Sequence, residues 1–385
     1  MQQREGRTVD FTFTEEQQAA VETAKAVFTT VTPDAVPSPA LTAGAVSEDL
    51  DRPLWSRLAT ADLLSLVVSP RHGGAGLDPV ALCLVLRESA RVLARVPLLE
   101  TSAVAMTIER YAPEHTAAEL LPRTGRGELV LTAASQGRTG HDPAERAVIA
   151  HRDGTDWILD GLQTAVPWAH AADIIAVPAH TPEGHTLLAL LPRTHEGLGL
   201  AAQYSTSGEL LAELRLDSVR LDSTDVIDAE GAWEWLRGIL TTGTCALALG
   251  LGEAVLTMTS QYTGKREQFG HPVATFQAVA VQTADRYIDL RAMEATLWQA
   301  AWRLSGATEG PLPAAGDIAV AKIWASEGVR RVVQTAQHLH GGFGADTDYP
   351  LHRYHAWAKH LELSLGPAAA HEEALGDLLA AHPLG

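Results

Sequence analysis

The chain has 385 residues, of which 46% are hydrophobic and 20% charged, enough for two or three ordinary globular domains with sizeable cores. Asp and Glu number 47 against 29 Lys and Arg, a formal charge of −18. That balance argues against nonspecific binding to nucleic acid or to an anionic membrane, yet leaves room for an anionic ligand held by a few local arginines. The two cysteines, Cys83 and Cys245, are too few for a disulfide framework, and their apolar helical surroundings predict buried thiols.

The opening "MQQREGRTVDF" has no apolar core of the kind a secretory leader needs. The uncharged run Gly238–Gly252 reads as too short and too polar to span a bilayer. Both point to a cytoplasmic protein. Residues 1–125 read as a helical domain. Thr14 and Gln17 form a capping box at the head of "TEEQQAAVETAKAVFTTV", and "RPLWSRLATADLLSLVV" has apolar spacing suited to a helix. After the loop "SPRHGGAGLDPV", Asp78 and Pro79 open a further helix, "VALCLVLRESARVLA".

Residues 126–225 change character and read as an antiparallel β domain. "RAVIAHRDGTDWILDG" is a hairpin turning at Asp153-Gly154, and "ADIIAVPAHTPEGHTLLALLP" is a second, turning near Pro182-Glu183-Gly184. "GELLAELRLDSVRL" reads as another pair of strands. Residues 226–385 are helical again. Small residues in "TTGTCALALGLGEAVLTMTSQYTGK" allow close helix packing. Two more helices follow, "ATFQAVAVQTADRYIDLRAMEATLWQAAWRL" and "AGDIAVAKIWASEGVRRVVQTAQHLH", the latter broken by "GGFGADTDYP". Helical, β and helical blocks in succession give an α+β class rather than a doubly wound sheet.

Two stretches carry chemistry. "YTGKREQFGHPVATFQAV" puts Arg266 and Gln268 at a helix end, where an arginine with neighbouring amide donors can hold a pyrophosphate, or can simply be a cation at a helix C-terminus. "QHLHGGFGADTDYPLHRY" stops a helix at Gly341-Gly342, where backbone can approach a ligand, or where the helix merely breaks. His338 and His340 sit two apart on a helix and do not face each other, and no cysteine or carboxylate set completes a metal site.

Taken in sequence, the two motifs resemble the acyl-CoA dehydrogenase family, and the order of domains matches over nearly the whole chain. The resemblance implies an N-terminal helical domain, a central β domain and a C-terminal four-helix bundle. It also implies that FAD lies between subunits. Arg266, Gln268 and Phe269, with Phe276 and Gln277 downstream, match the motif that reaches a neighbouring subunit's FAD, and so do Gly341 and Gly342. His338 stands where many members have Gln.

The other half of the family's flavin site departs from the pattern. Thr132 survives in "LTAASQGRTG", but Ala133 and Ala134 replace Glu-Pro. In "LQTAVPWAHAAD", Ala165, Val166 and Pro167 occupy the family's Trp-Ile-Thr/Ser positions, with Trp168 one residue beyond. The family's catalytic glutamate position falls on Leu365 in "AWAKHLELSLGPAAAHEE", and the alternative position used by a minority of members falls near Leu240. Neither residue can accept a proton. Glu362, one turn before Leu365, is a weak substitute, Glu234 lies too far off, and His360 and His371 read as helix-surface residues.

This asymmetry resembles the base-lacking subunit of the actinobacterial heterotetrameric steroid acyl-CoA dehydrogenases. The resemblance implies a non-catalytic, FAD-contributing subunit working with a homologous base-bearing partner. The complex would introduce a Cα–Cβ double bond into a bulky acyl-CoA, such as one with a sterol side chain, and pass electrons to an electron-transfer flavoprotein. Two other readings stay open: a flavin-dependent monooxygenase on the same fold, and a flavin-free scaffold or acyl-binding protein.

Overall fold

The structure is a computed structural model that describes residues 12–39, 41–47, 49–139, 146–306 and 312–383. The 1–11 segment behind the leader reading lies outside the described residues, as does Gly140 at the end of the 131–140 segment.

The first domain comprises α1 (Glu15–Phe28), α2 (Arg52–Thr60), α3 (Pro79–Arg91), α4 (Leu98–Tyr111) and α5 (Glu114–Gly125). The capping box is present: Thr14 Oγ1 accepts from the Gln17 N–H at 3.2 Å, and Gln17 Oε1 accepts from the Thr14 N–H at 3.0 Å. Asp78 caps α3 through the Ala81 N–H at 3.0 Å and also accepts from Gln17 Nε2 at 3.0 Å, so one carboxylate ties α1 to α3. The helix expected across residues 52–68 stops at Thr60. Asp62 takes a φ of 58°, and the chain beyond folds into turns whose Ser65 and Val68 carbonyls accept from Ala75 and Gly76.

The second domain is one sheet made of β1 (Leu131–Ala133), β2 (Val148–Asp153), β3 (Asp156–Pro167), β4 (Ile174–His180), β5 (Thr186–Pro192), β6 (Leu198–Tyr204), β7 (Leu210–Leu221) and β8 (Val226–Ile227). The strands run in the order β6-β7-β3-β2-β4-β5-β8, with β1 added against β4. Both expected hairpins form, β2 with β3 and β4 with β5.

Two expectations need correction. The sheet is mixed rather than antiparallel: β1 runs parallel to β4, and β2 touches β4 in parallel. β1 enters straight from the helical domain and reaches β4 only after the β2–β3 hairpin, a crossover that permits parallel pairing. "GELLAELRLDSVRL" is not a pair of strands but the single strand β7, which pairs with β3 on one side and β6 on the other. The alternation slips at Asp217-Ser218, both exposed, where Ser218 takes a φ of 50° and the pairing with β3 shifts register, so the apparent turn is a bulge inside one strand.

The third domain contains α6 (Ala232–Lys265), the short ribbon β9 (Glu267–Gln268) and β10 (His271–Pro272), α7 (Gln277–Leu304), α8 (Ala314–His340), α9 (Leu351–Leu363) and α10 (Ala368–Ala381). α6, α7 and α8 pack on one another and α10 lies along α8, which gives the four-helix arrangement, while α9 is a fifth helix set against α6 and α8. α6 has 34 residues, so it is long enough to cross a membrane, but its most apolar window is 83% buried inside the protein. It is the central core helix.

Its small residues explain how. A Cβ at Gly250 would lie 2.0 Å from the Arg87 carbonyl oxygen, so α3 and α6 touch backbone to backbone. Beside that contact Arg87 Nε donates to Glu253 Oε2 at 2.8 Å, a largely buried pair that locks the first domain to the third. Cys83 and Cys245 are both free and buried, and burial pushes both thiols well above their ordinary range.

Candidate functional site

Two regions matter, one on the surface and one inside. On the surface, α6 ends at Lys265 and the β9–β10 ribbon projects from it. The ribbon turns on Phe269 and Gly270, with φ values of 54° and 78°. Two successive residues in the left-handed region make the tight hairpin turn that usually takes Asn-Gly. A phenylalanine there costs roughly 1–2 kcal/mol, and it is 91% exposed. A strained, solvent-facing aromatic gains nothing for its own chain beyond an edge contact with Phe276, 6.4 Å between centroids.

Arg266 is exposed, and its guanidinium has no ion pair among the described residues. Gln268 and Gln277 are also exposed, with the Gln268 amide donating only to the neighbouring Glu267 carbonyl at 2.8 Å. Gly341 takes φ 60° and ψ −140°, a conformation that only glycine adopts freely. A Cβ on Gly342 would meet nothing within 4 Å. The structure brings the two motifs together through an aromatic cluster. The Tyr262 ring stacks on His340 at 4.4 Å and on Phe343 at 5.3 Å, and Tyr349 hydroxyl lies 3.0 Å from His340 Nε2. Beside the stack is an open groove of about 390 Å³ walled by Tyr262, Lys265, Arg266 and Tyr349.

His338 is exposed, whereas His340 is buried with Nδ1 2.8 Å from the Ala336 carbonyl, so the two rings serve different surroundings. Burial pulls the His340 imidazole below its usual range, which favours the neutral form. A cation without an ion pair, an accessible backbone at Gly341-Gly342 and an exposed aromatic fit a pyrophosphate-bearing cofactor.

The interior region is a cavity of about 100 Å³ where all three domains meet. Leu240 of α6 and Leu365, just past α9, both line it. The two positions where the resemblance places a catalytic base therefore share one space, and both are aliphatic and buried, at 3% and 7% exposure. Leu365 is firmly held. Its φ is 60°, its N–H donates to Gln136 Oε1 at 3.1 Å, and its carbonyl is 2.9 Å from His371 Nε2. Lys322 is fully buried and donates to the Leu361 and Glu362 carbonyls at 2.9 and 3.0 Å, which caps the end of α9. Burial lowers the Lys322 ammonium to about 8.

Glu362 faces elsewhere: its carboxylate pairs with Lys359 at 2.6 Å, and it does not line the cavity. Glu234 is exposed on the first turn of α6. His360 and His371 are not the surface residues expected from the helix pattern. His360 lines the cavity and His371 is 5% exposed, and burial depresses both imidazoles to about 4.

The segments that the resemblance assigns to this chain's own flavin half make contacts within the chain. Thr132 spends its hydroxyl on the Pro167 carbonyl at 2.6 Å. The end of β3 carries a bulge between Gln163 and Val166, with Ala165 at φ 51° and Trp168 at φ 58°. That distortion puts Trp168 into the cavity wall.

Glu100, near the start of α4, was not evident from the sequence as a site residue. Its carboxyl lines the cavity, and loss of solvent raises it to about 7 despite a hydrogen bond from Trp168. The signal was present as a lone acid in the apolar run "VPLLETSAVAM".

Comparison with known proteins follows the same lines. The family model for the acyl-CoA dehydrogenase N-terminal domain matches residues 14–128, and that for the C-terminal domain matches residues 241–379. Acyl-CoA dehydrogenase FadE27 of Mycobacterium tuberculosis is 34% identical over 88% of this chain and 91% of its own length. FadE28 of the same organism is 29% identical over 87% and 95%. Among solved structures, the ChsE4–ChsE5 complex from M. tuberculosis gives a TM-score of 0.88 at 32% identity, covering 98% of this chain and 100% of the other. A Tcur3481–Tcur3483 steroid ACAD variant gives 0.87 at 36% identity, covering 95% and 98%. The chain belongs to the acyl-CoA dehydrogenase family, a family of FAD-dependent oxidoreductases.

Proposed function

We propose that this chain is the FAD-contributing, non-catalytic subunit of a heteromeric acyl-CoA dehydrogenase. The observation that carries the reading is the pairing of Leu240 and Leu365 in one cavity of about 100 Å³. Both base positions are apolar, and Trp168 forms part of the same wall. In contrast, Arg266, Phe269, Gly341 and Gly342 stay exposed. A chain that had lost flavin chemistry altogether would have no reason to hold Phe269 in a strained and exposed turn.

In the assembly, Arg266 would hold the pyrophosphate of an FAD seated in the partner, with Gln268, Phe269, Phe276, Gln277 and His338 around it. Gly341 and Gly342 would let backbone close on the same cofactor. FAD supplies the hydride acceptor, and the partner supplies the carboxylate that takes the α-proton. The acyl-CoA would bind mainly to the partner. The resemblance to the ChsE4–ChsE5 complex and the steroid ACAD supports a homologous second subunit and a bulky acyl group such as a sterol side chain. An electron-transfer flavoprotein as electron acceptor and a cytoplasmic location belong to the same reading. The test is to assay acyl-CoA dehydrogenation by the chain alone, by a base-bearing homologue alone and by the two together. Activity only in the mixture supports the reading. Turnover by this chain alone overturns it.

A further inference from the structure

Two hydrogen bonds fix which nitrogen of His340 carries the proton. A carbonyl can only accept, so the Ala336 carbonyl 2.8 Å from Nδ1 places the hydrogen there. Burial keeps the ring neutral, which leaves Nε2 as an acceptor. The Tyr349 hydroxyl, 3.0 Å away, donates to it. Burial raises that phenol above its ordinary range, so the hydroxyl keeps its hydrogen.

Four rings close a circuit around this bond. Tyr262 lies 4.4 Å from His340 and 5.3 Å from Phe343, and Tyr349 lies 5.2 Å from His340 and 4.5 Å from Phe343. The circuit joins the last turn of α6, the end of α8 and the loop that leads into α9. Both of its sides bear on groups that face solvent. The Tyr262 carbonyl accepts from the Arg266 N–H at 2.8 Å, and His340 is followed directly by Gly341. Tyr349 is the fixed point, because Leu351 two residues later is fully buried. Stacked rings can slide, since favourable pairs span centroid separations of about 4.5–7 Å. A hydrogen bond holds its atoms within a few tenths of an ångström of about 2.9 Å. The bond between Tyr349 and His340 is therefore the element of the circuit that sets a distance.

We propose that His340 is a positioning residue for the cofactor: as an Nδ1–H imidazole accepting from Tyr349, it sets the spacing between the Arg266 guanidinium and the Gly341-Gly342 backbone. The inference rests on the subunit reading above, in which those two groups share one FAD.

The test uses the assembly of this chain with a base-bearing homologue and follows the rate at which bound FAD is released. Tyr349→Phe removes the donor and keeps the ring, and is expected to speed release about fivefold, the worth of one hydrogen bond. His340→Phe keeps a ring in the stack and removes the acceptor, with the same expected result. His340→Gln gives up the ring but restores an acceptor oxygen at the reach of Nε2, and should release FAD within about twofold of the wild-type rate. A packing role would reverse that order, with phenylalanine holding the flavin and glutamine losing it. The reversed order, release by His340→Gln as fast as by His340→Phe, or wild-type release by Tyr349→Phe overturns the proposal. Arg266→Ala is measured alongside. Fast release there with none at His340 or Tyr349 overturns the positioning role alone, whereas wild-type release by Arg266→Ala overturns the subunit reading and the proposal with it. Should His340→Phe fail to fold, Tyr349→Phe against His340→Gln decides the matter.

Discussion

Gly342→Ala separates folding from cofactor contact within one methyl group. The added Cβ meets nothing within 4 Å, and the residue does not take a positive φ, so the chain itself accommodates it. Replacing glycine by alanine at a compatible site stabilises by about 0.4–1 kcal/mol through the unfolded state. The neighbouring Gly341, with φ 60° and ψ −140°, has no such freedom, and alanine there would cost about 1–3 kcal/mol. If another chain's FAD approaches the backbone at Gly342, the new methyl takes that place. Losing one charge-assisted contact to a pyrophosphate is worth about 1.5–3 kcal/mol, or roughly 10–150-fold in cofactor affinity. The assay pairs a urea denaturation of the chain with FAD retention by the complex after gel filtration. The expected result is unchanged or slightly raised stability with flavin lost at least tenfold faster. Full flavin retention in the folded variant would refute the reasoning, because the glycine would then be only a helix break.

The remaining predictions concern the interior. Lys322→Met should destabilise the chain by about 3 kcal/mol in urea unfolding, since it strands the Leu361 carbonyl and leaves the Glu362 carbonyl only its bond from Ser326 Oγ. Glu100→Gln should stabilise progressively as pH rises from about 4.5 through 7. The folded carboxyl titrates near 7, so between those values the folded wild type holds a proton that the unfolded chain has released, and its stability falls with rising pH; the variant lacks that loss, worth at most about 3 kcal/mol. His371→Gln should act on the opposite slope. The buried imidazole titrates near 4, below its unfolded value near 6.5, so wild-type stability falls as pH drops from about 6.5 toward 4, and urea midpoints of the variant should fall less steeply. Leu365→Glu should give no dehydrogenation by the chain alone, because a carboxylate in a cavity of about 100 Å³ still has no flavin beside it; measurable turnover would show that the base was the only missing part.

The sequence carried much of the fold because local signals agree with the tertiary outcome. Thr14 and Gln17 close a capping box, Asp78 caps α3, and Gly154 turns a hairpin, each by chemistry confined to a few neighbours. Residues whose fate depends on distant partners were harder to read. Residues 61–68 have helical spacing yet leave the helix at Asp62, because the Ser65 and Val68 carbonyls find partners in the 74–77 loop. The parallel β1–β4 pair and the single long β7 follow from where the chain crosses between domains, which periodicity does not record.

The site divides in the same way. Arg266, Phe269 and the Gly341-Gly342 break were legible as motifs, and Leu365 as a departure from one. The convergence of Leu240 and Leu365 on one cavity was not legible, since 125 residues and three helices, α7, α8 and α9, separate them. Glu100 is hidden in the sequence for the same reason, since its place in the cavity wall arises from the closing of three domains around it. His360 and His371 read as surface residues because helix spacing alone cannot tell which polar side chain faces a neighbouring helix; packing of α9 and α10 on α8 buries His371 and sets His360 in the cavity wall.

The most direct test of the central claim is the flavin stoichiometry of the purified assembly of this chain with a base-bearing homologue. The account predicts one FAD for each pair of unlike subunits, and none on this chain purified alone. One FAD on every subunit, or a full complement on this chain by itself, would contradict it.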